Sequence, residues 1–487
     1  MGTAQEIGEL SIGWASRDVT PDRPVMLRGQ FHMRVSTHVH DPLTVTALAL
    51  EATGDQCVMA SIDHVAVPQA LIRGVRERLK ELVPDLPPEK VFLNATHTHT
   101  APQMLPPDSP EVFIPWEDPG PEVMSPEAYA ELLIGRTAEC IAQAWESRKP
   151  GSLAWGMGYA VVGRNRRQVR RDGSSLMYGD TSADDFSHIE GYEDHSVNLL
   201  FTYDASHALT GLVVNLACPS QVTESRSFVS ADFWHETRLE IRKRHGEQIF
   251  VLPQVSAAGD QSPHVMFNKE AEERMLRLKG LLGETGGDVR LAERAEIARR
   301  IAAAVDDVLP PASQDLHNTV VLRHTVRTLQ LPRRPITQED VLEARAQVEA
   351  YTKRLEGELA GRPPTDQERS YCYGRRGWYA KVIERSQLQR NDPTYPVELH
   401  VVRLGDVAFA TNPFELYLDF GIRIKARSKA LQTFVVQLAG PGSYLPTARS
   451  VAGRSYGSEP ASNIVGPEGG DILVEETLRD LARLFSE

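Results

Sequence analysis

Cysteines and long apolar runs are scarce in this sequence. Its 487 residues include only four cysteines, which are far apart and form no CxxC pair, so we expect no disulfide framework and a reducing compartment. No stretch approaches membrane-spanning length, and the first ten residues lack the basic and apolar regions of a leader. We therefore expect a cytoplasmic protein that is not inserted in a membrane.

Acidic residues outnumber basic ones, and the formal net charge is -13. A surface of that sign repels phosphate backbones and anionic lipid headgroups, which argues against nucleic acid and membrane partners. Aromatic residues make up only 7% of the chain, which gives little support to a secreted lipid hydrolase with an exposed apolar rim. A small-molecule substrate is the expected partner, and a homo-oligomer stays open.

The apolar patterning predicts a mixed α/β fold, with β-sheets flanked by helices. No internal repeat and no linker divides the chain, so we predict one large domain over residues 1–487 with a helical insertion around 270–395. The order of strand, helix and strand before residue 97 predicts a parallel crossover. Strands are predicted at 43–50, 57–62, 91–96, 208–217, 248–255, 397–410 and 432–438, and helices at 68–82, 127–147, 290–308 and after Thr337.

Two histidines follow the predicted strand at 91–96. In an extended segment, side chains two positions apart share a face, so His97 and His99 can point into one cavity. Ligand crevices form at the carboxyl ends of strands in α/β sheets, and a loop rich in proline follows at 103–126, where a lid is plausible. The alternative is a pair of core histidines with satisfied hydrogen bonds.

Cys218 likewise ends a predicted strand. Imidazole and thiolate together favour zinc over magnesium or calcium, because the harder cations take oxygen ligands. The alternative reading of Cys218 is a buried structural thiol.

Several segments resemble the neutral/alkaline non-lysosomal ceramidases, in the same order along nearly the whole chain. Thr96-His97-Thr98-His99-Thr100-Ala101-Pro102 is similar to that family's Thr-His-Thr-His-Ser-Gly-Pro signature. Gly259-Asp260-Gln261-Ser262-Pro263 resembles the segment with its active-site serine, and Asn412-Pro413-Phe414-Glu415 resembles the one with a zinc-binding glutamate. The loop from Gly440 to Thr447 is similar to the family's loop that supplies a tyrosine to the metal.

The resemblance implies a Zn2+ site and a set of catalytic residues. His97, Glu415 and Tyr444 would be metal ligands, and Cys218 aligns with the family's second histidine ligand, which gives a His-Cys-Glu-Tyr site. His99 would hydrogen-bond substrate or the attacking water, and Ser262 would donate to the oxyanion or attack directly. A thiolate in place of imidazole would make the zinc a weaker Lewis acid. The chain also leaves no room for the family's C-terminal immunoglobulin-like domain.

Other polar residues near the predicted strand ends are more often structural than catalytic. They are Asp63, His64, Asp232, His235 and His264, of which Asp232 and His235 are the strongest candidates for a catalytic role. The basic run from Arg164 to Arg171 predicts a solvated or salt-bridged surface, with capture of a carboxylate or phosphate as the alternative.

These residues predict a zinc-dependent hydrolase in which an activated water attacks an amide or related acyl bond of a soluble substrate. The linear amide is what the resemblance implies, and an ester, lactone or glycosidic bond is the first alternative. A non-catalytic, zinc-stabilised binding protein is the second.

Overall fold

The computed structural model describes residues 7–112, 114–283 and 287–486. Its strands are β1 (Gly8–Glu9), β2 (Ser11–Asp18), β3 (Met26–Leu27), β4 (Arg34–Val35), β5 (Thr44–Ala52), β6 (Asp55–Ile62), β7 (Val91–Ala95), β8 (Lys149–Tyr159), β9 (Arg164–Asn165), β10 (Arg167–Arg170), β11 (Ser175–Met177), β12 (Phe186–Ile189), β13 (Ser196–Asp204), β14 (Leu209–Leu216), β15 (Phe250–Val255), β16 (Gln261–Ser262), β17 (Thr319–Val320), β18 (Leu322–Pro332), β19 (Thr394–Leu404), β20 (Val407–Thr411), β21 (Glu415–Leu416), β22 (Gln432–Val436) and β23 (Tyr444–Leu445).

The helices, also in chain order, are α1 (Gln69–Leu82), α2 (Pro126–Glu146), α3 (Phe233–His245), α4 (Lys269–Leu278), α5 (Val289–Ala312), α6 (Gln338–Glu356), α7 (Gln367–Leu388), α8 (Leu418–Arg427), α9 (Ala448–Gly453) and α10 (Pro467–Leu484). Thr337 begins α6 with a capping box, as the sequence predicts, because its hydroxyl accepts from the Asp340 N–H and the Asp340 carboxylate accepts from the Thr337 N–H.

Two sheets form the centre of the molecule. The larger has eight strands in the order β15-β14-β13-β8-β2-β5-β6-β7, and the smaller has four in the order β18-β19-β20-β22. Both are mixed, since β6–β7, β14–β15 and β20–β22 are parallel pairs and the other neighbours are antiparallel. The predicted crossover from β6 through α1 to β7 is present.

The two sheets pack face to face through alternate residues of their strands. In β20, Val407 and Phe409 join an apolar cluster shared by both sheets, whereas Ala408 between them points to the opposite face. Both faces of each sheet are therefore buried, which explains why these strands read as continuous apolar runs.

Helices cover the outer face of each sheet and complete four layers. On the larger sheet, α1 and α2 pack over one half and α3 and α5 over the other. On the smaller sheet, α8 and α10 pack over residues of β18, β19 and β22. The mixed α/β fold with flanking helices is therefore confirmed.

The segment from 270 to 395 holds most of the length of helices α4 to α7, but β18, a strand of the smaller sheet, lies between them. The prediction of one domain with a helical insertion there stays a prediction. No helix in the described part of the chain has the length and apolar character to cross a membrane.

The carboxyl ends of the parallel strands meet at one edge of the sandwich. Backbone hydrogen bonds join these ends: Ala95 N–H donates to Leu438 after β22, and Gln437 N–H donates to Val255 at the end of β15. Residues that follow β7, β14, β15, β20 and β22 are thereby brought together from both sheets. This edge holds the polar residues that the sequence singles out.

A buried ion pair between Asp63 and Arg238 holds this edge in place. Asp63, just after β6, accepts two hydrogen bonds from the guanidinium of Arg238 on α3, at 2.8 and 2.9 Å, and both side chains are almost inaccessible to solvent. Asp63 also accepts from the backbone and hydroxyl of Thr44. The hydrogen bonds and the ion pair of Asp63 therefore have a structural role.

We expect Asp63→Asn to lower the free energy of unfolding by about 3–5 kcal/mol, because it leaves a buried guanidinium without its counter-charge. Urea denaturation monitored by circular dichroism measures the change. Asp22→Asn, which alters the exposed pair with Arg23, is the control and should stay within about 0.5 kcal/mol of the parent. Equal effects of the two substitutions would contradict the prediction.

Candidate active site

His97 is held in one orientation directly after β7. Its backbone has a φ of 66°, the left-handed region that is unfavourable for a residue with a side chain, and its N–H donates to the carbonyl of His64. Its ring Nδ1 lies 2.6 Å from the carbonyl oxygen of Val65. A carbonyl oxygen only accepts, so Nδ1 carries a proton and Nε2 of the neutral ring presents a lone pair.

Glu415 and Tyr444 reach the same place from the smaller sheet's side. They are in-register partners in the short parallel pair β21–β23, and Glu415 N–H donates to the carbonyl of Ser443. The Tyr444 hydroxyl donates to the Glu415 carboxylate, and Glu415 Oε2 lies 3.3 Å from His97 Nε2. Three of the residues that the sequence predicts as ligands are therefore in mutual contact.

His99 adds a second imidazole to this contact. Its Nε2 lies 3.3 Å from His97 Nε2 and 2.8 Å from the side-chain nitrogen of Gln221. The amide orientation of Gln221 is fixed, because its Oε1 accepts from Arg166 at 3.2 Å and a guanidinium only donates. Gln221 Nε2 therefore donates to His99 Nε2, which carries no proton of its own and whose lone pair is occupied by this hydrogen bond.

Burial disfavours positive charge on His99. It lowers the pKa of His99 well below the ordinary value, and His97 and the cations Arg34 and Arg166 lower it further. Burial opposes ionisation of Glu415, but His97 and Arg166 offset this, so the pKa of Glu415 is lowered and the carboxylate is charged. The groups that meet here are thus a neutral His99 imidazole, the ring of His97 and the Glu415 carboxylate.

The lone pair of His97 Nε2 faces the Glu415 carboxylate at 3.3 Å, and such an arrangement fits a shared proton or a metal cation. No three His, Cys, Asp or Glu side chains in the described ranges are arranged to hold a metal ion as they stand. The donor types nevertheless fit zinc, since imidazole, carboxylate and the Tyr444 phenol are all present. His97, Glu415 and Tyr444 are the residues that would hold it.

Arg166 lies buried beside these groups. Its guanidinium donates to the Tyr178 and Tyr444 hydroxyls at 2.9 and 3.2 Å and to the Gly259 carbonyl at 2.9 Å. Burial alone would lower the pKa of Arg166, but Tyr178, Tyr444 and Glu415 raise it well above the ordinary value. Arg166 is therefore a fixed positive charge next to Glu415.

The prediction that the arginine run is surface is wrong for two of its members. Besides Arg166, Arg167 is fully buried, where it pairs with Glu190 at 2.9 Å and donates to backbone carbonyls around Ser450 and Arg454. Arg170 fits the prediction, being partly exposed and paired with Asp185. Arg166 lies between β9 and β10 and Arg167 begins β10, so two consecutive arginines are buried while Arg170 at the other end of β10 stays partly exposed.

Cys218 is not gathered with the other predicted ligands. Its thiol hydrogen-bonds to the Pro219 carbonyl, and it packs in the apolar layer with Val162, Phe233 and Trp234. Burial, and then Asp232, raise the pKa of Cys218 well above the usual thiol value, which opposes the thiolate that a metal requires. This placement favours the buried structural thiol. A side chain from the same turn, Gln221, does reach the site.

Ser262 is fully buried on β16. Its Oγ accepts from the Tyr178 hydroxyl and from the His264 N–H, both at 3.1 Å. Its two lone pairs are thereby occupied, which suits a positioning role better than attack on a substrate.

His264 connects this area to a carboxylate. Its Nε2 lies 3.1 Å from Glu224 Oε1, while Glu224 Oε2 lies 3.7 Å from His99 Nδ1. Glu224 therefore lies between the two histidines, on the side of His99 that faces away from His97.

Asp232 and His235 lie away from this centre. Asp232 caps α3 by accepting from Phe233 N–H, and it also accepts from Val222 and Thr223. His235 lies on the first turn of α3, near Asp41 and Arg294. The structure therefore gives Asp232 a structural role in the turn that carries Gln221 and Glu224.

A cavity of about 170 Å³ opens onto His97, His99, Glu415 and Tyr444. Its outer wall carries apolar side chains, including Phe31, Ile114, Trp116, Trp378 and Tyr456. Ile114 and Trp116 come from the loop at 103–125, which has no helix or strand in its described residues and reaches the cleft as predicted. Polar groups at the base and apolar groups at the mouth are typical of a small-molecule site.

Two residues of the site, Gln221 and Glu224, were missed as candidates by sequence reasoning, and Arg166 was considered only as a member of the arginine run, with capture of an anion as the alternative. An isolated amide or carboxylate is common at surfaces, so residue type alone carried no signal. Their position shortly after Cys218 was the available indication.

The fold that these layers and strand ends define is shared with known hydrolases. The crystal structure of neutral ceramidase from Pseudomonas aeruginosa matches with a TM-score of 0.67 and 18% identity, over 97% of this chain and 74% of that one. A ceramidase complexed with C2 matches with a TM-score of 0.64 and 17% identity, over 98% and 75%. No family model and no curated protein matches the sequence. The chain therefore has a neutral ceramidase-like fold.

Gly29 allows the chain to pass directly against His99. Its φ is 109°, and a Cβ there would lie 2.5 Å from His99 Cγ. We expect Gly29→Ala to displace the imidazole and to cost about 1–3 kcal/mol of stability for overpacking, beyond the backbone strain. Thermal unfolding measures the cost, and 15N NMR of the histidine rings detects a changed environment of His99.

Gly54 is the matched control, since its φ of 72° is also positive but a Cβ there meets no atom within 4 Å. Gly54→Ala should cost only the backbone strain, about 1–2 kcal/mol, and leave the His99 resonances in place. Unchanged His99 resonances in Gly29→Ala would show that the glycine is not needed for this contact.

Proposed function

We propose that the protein is a hydrolase of the neutral ceramidase type that cleaves an amide bond of a small molecule in the cytoplasm. The observation that carries this proposal is the convergence of His97, His99 and Glu415 at the base of a cavity with apolar walls. In the reaction, the C–N bond breaks, the oxygen of water joins the acyl carbon, and a proton passes to the amine nitrogen.

Zinc is the proposed cofactor, with His97, Glu415 and Tyr444 as the residues that would hold it. The Val65 carbonyl supports this assignment, because a hydrogen bond on Nδ1 is the usual way in which a protein turns Nε2 of a histidine toward a metal. When bound, a zinc ion supplies a Lewis acid that acidifies water and polarises a carbonyl group.

His99 is the proposed acid–base residue. Its Nε2 carries no proton and accepts from Gln221, so that atom can take a proton from water once the Gln221 amide moves aside, and can return the proton to the leaving amine. Glu224 lies at Nδ1, where its charge favours the imidazolium that forms when Nε2 is protonated. The lowered pKa of His99 keeps the ring neutral and ready to accept.

The proposed role of Arg166 is to hold the polar side chains around Glu415 and His99 in position. It holds the Tyr444 hydroxyl and, through Gln221, fixes the tautomer of His99. It also binds the Tyr178 hydroxyl, which donates to Ser262. The catalytic histidine, Tyr444 and Ser262 are thus connected to one buried cation.

An ester or lactone would present the same carbonyl to these groups, so those bonds remain the first alternative. A non-catalytic binding protein is favoured less, because His97 and His99 line an open cavity instead of a closed, dry site.

We expect His97→Ala to lose zinc, with an affinity at least about a hundredfold weaker, and to lose turnover of amides. Cys218→Ser should keep the zinc content and lower stability by about 1–3 kcal/mol, because it places a hydroxyl in an apolar layer. Metal analysis after dialysis, thermal unfolding and a panel of amide and ester substrates measure these effects.

Two outcomes would change the assignment. If both variants keep full zinc and turnover, the metal site lies elsewhere. If Cys218→Ser unfolds normally but loses zinc, Cys218 is a ligand and its thiol turns toward His97 in the loaded protein.

The substitution Ser262→Ala tests whether Ser262 attacks the substrate or only positions other groups. Because both lone pairs of Ser262 accept donors, we expect kcat to fall by no more than about a thousandfold, with zinc retained, as for loss of a positioning hydrogen bond or an oxyanion donor. A fall of about a millionfold, the size seen for nucleophiles, would show that Ser262 attacks the substrate.

A further inference from the structure

A second cavity lies beside the candidate active site and shares a wall with it. Its volume is about 340 Å³, and Arg28, Ala66 and Gly442 line both cavities. Arg28 therefore stands where a molecule bound at His97 would pass from one cavity into the other.

The guanidinium of Arg28 makes no hydrogen bond or salt bridge with the described residues, and its Nη1 is shielded from solvent without a hydrogen-bond partner. The side chain as a whole is partly exposed. Burial lowers the pKa of Arg28, and the charges of Glu111 and Glu415 partly offset this effect. A desolvated donor without an acceptor costs free energy, and a ligand oxygen at Nη1 would remove that cost.

The backbone of Arg28 is fixed even though its side chain is free. Its N–H donates to the Ala101 carbonyl at 3.0 Å, and its carbonyl accepts from Arg34 at 3.0 Å. Arg34 also donates to the carbonyl of His99. The segment that carries Arg28 is thus tied to the strand end that carries the histidines.

The other charges of the second cavity are already paired or held. Arg333 pairs with Asp392 at 2.5 Å, Lys381 pairs with Glu384 at 3.1 Å, and Arg385 donates to the carbonyls of Pro460 and Asn463. Burial, and then Arg334 and Arg333, lower the pKa of Arg385 to about 10, so this wall holds an excess of positive charge.

We infer that Arg28 binds a carboxylate on the substrate, which makes the substrate an amide with a carboxylate on one side and an apolar group on the other. The inference rests on the proposed function. One free guanidinium matches one carboxylate in a bidentate pair. The carboxylate of Glu111 on the same wall opposes the second charge of a phosphate.

The apolar half of such a substrate has a place in the first cavity. Phe31, Trp378 and Tyr456 form an aromatic cluster there, with ring centroids 5.3 to 6.0 Å apart. An amide held at His97 and His99 would then have its apolar group toward these rings and its carboxylate toward Arg28.

Binding of matched probes tests the inference without turnover. We expect 3-phenylpropanoate to bind the zinc-loaded protein at least about tenfold more tightly than 3-phenylpropan-1-ol, which has no bond to hydrolyse, as measured by calorimetry, and Arg28→Met to abolish the preference. Arg333→Gln removes the same charge from the same cavity and should keep the preference. Equal binding of the two probes, a preference that survives Arg28→Met, or tighter binding of inorganic phosphate would overturn the inference.

Stability separates a binding role from a structural one. Removal of a partly desolvated charge that makes no salt bridge with the described residues should leave the melting temperature of Arg28→Met unchanged or raise it, whereas a fall of many degrees would mark Arg28 as structural. If that variant does not fold, Arg28→Lys decides, because it keeps the charge and loses the fork that grips a carboxylate, so the preference should shrink several-fold. An unchanged preference in Arg28→Lys overturns the inference.

The rates of cleavage of N-(3-phenylpropanoyl)glycine and of its glycinamide analogue test the proposed hydrolase activity and the Arg28 site together. A selective cleavage of the acid supports both. If neither is cleaved while the carboxylate preference persists, the proposed hydrolase activity fails and the Arg28 site stands. If both are cleaved equally, the activity stands and the Arg28 assignment fails.

Discussion

The candidate site depends on the hydrogen bond between His97 Nδ1 and the carbonyl of Val65. That bond fixes which nitrogen carries the proton and turns the other toward Glu415. On the far side, Arg166 fixes the amide of Gln221, and the amide in turn fixes His99. The protonation pattern of the centre is therefore set by groups that do not titrate near neutral pH: a carbonyl, an amide and a guanidinium.

The charge around the histidines of the cleft is opposite in sign to the net charge of the whole chain. The protein carries a net charge of -13, yet three arginines, Arg28, Arg34 and Arg166, lie around His99, where the carboxylates are Glu415 and Glu224. Because these cations are removed from water, their effect on Glu415 and on an incoming anion is stronger than that of the surface charge. A negatively charged ligand would meet a repulsive surface and an attractive interior.

Much of the fold follows from apolar patterning. Strands β5, β6, β7, β14 and β15 are continuous apolar runs, and the amphipathic pattern of residues 69–82 gives α1 within a residue or two of its observed ends. The residues at 97, 99, 415 and 444 were found through short motifs, because strand ends and turns impose local chemistry. The packing of two sheets against each other was not predicted, since it depends on contacts between distant strands.

The differences between the expected and the observed surroundings of site residues have a physical cause as well. The turn after β14 places Cys218 in the apolar layer and Gln221 against His99, and one position in a turn decides which side chain faces the cleft. Sequence position alone does not give that direction. Likewise, Arg166 lies between β9 and β10 and is held by two tyrosine hydroxyls, Arg167 is buried and pairs with Glu190, and Arg170 stays partly exposed.

The two halves of the centre are synthesised at very different times. His97 follows β7 of the larger sheet, Glu415 lies in the short pair β21–β23, and more than three hundred residues separate them in the chain. At about 5–20 residues per second, a ribosome needs tens of seconds to pass from one to the other. A nascent chain therefore carries its histidines long before it can oppose them with a carboxylate, and a shortened product that ends before β21 lacks half of the centre.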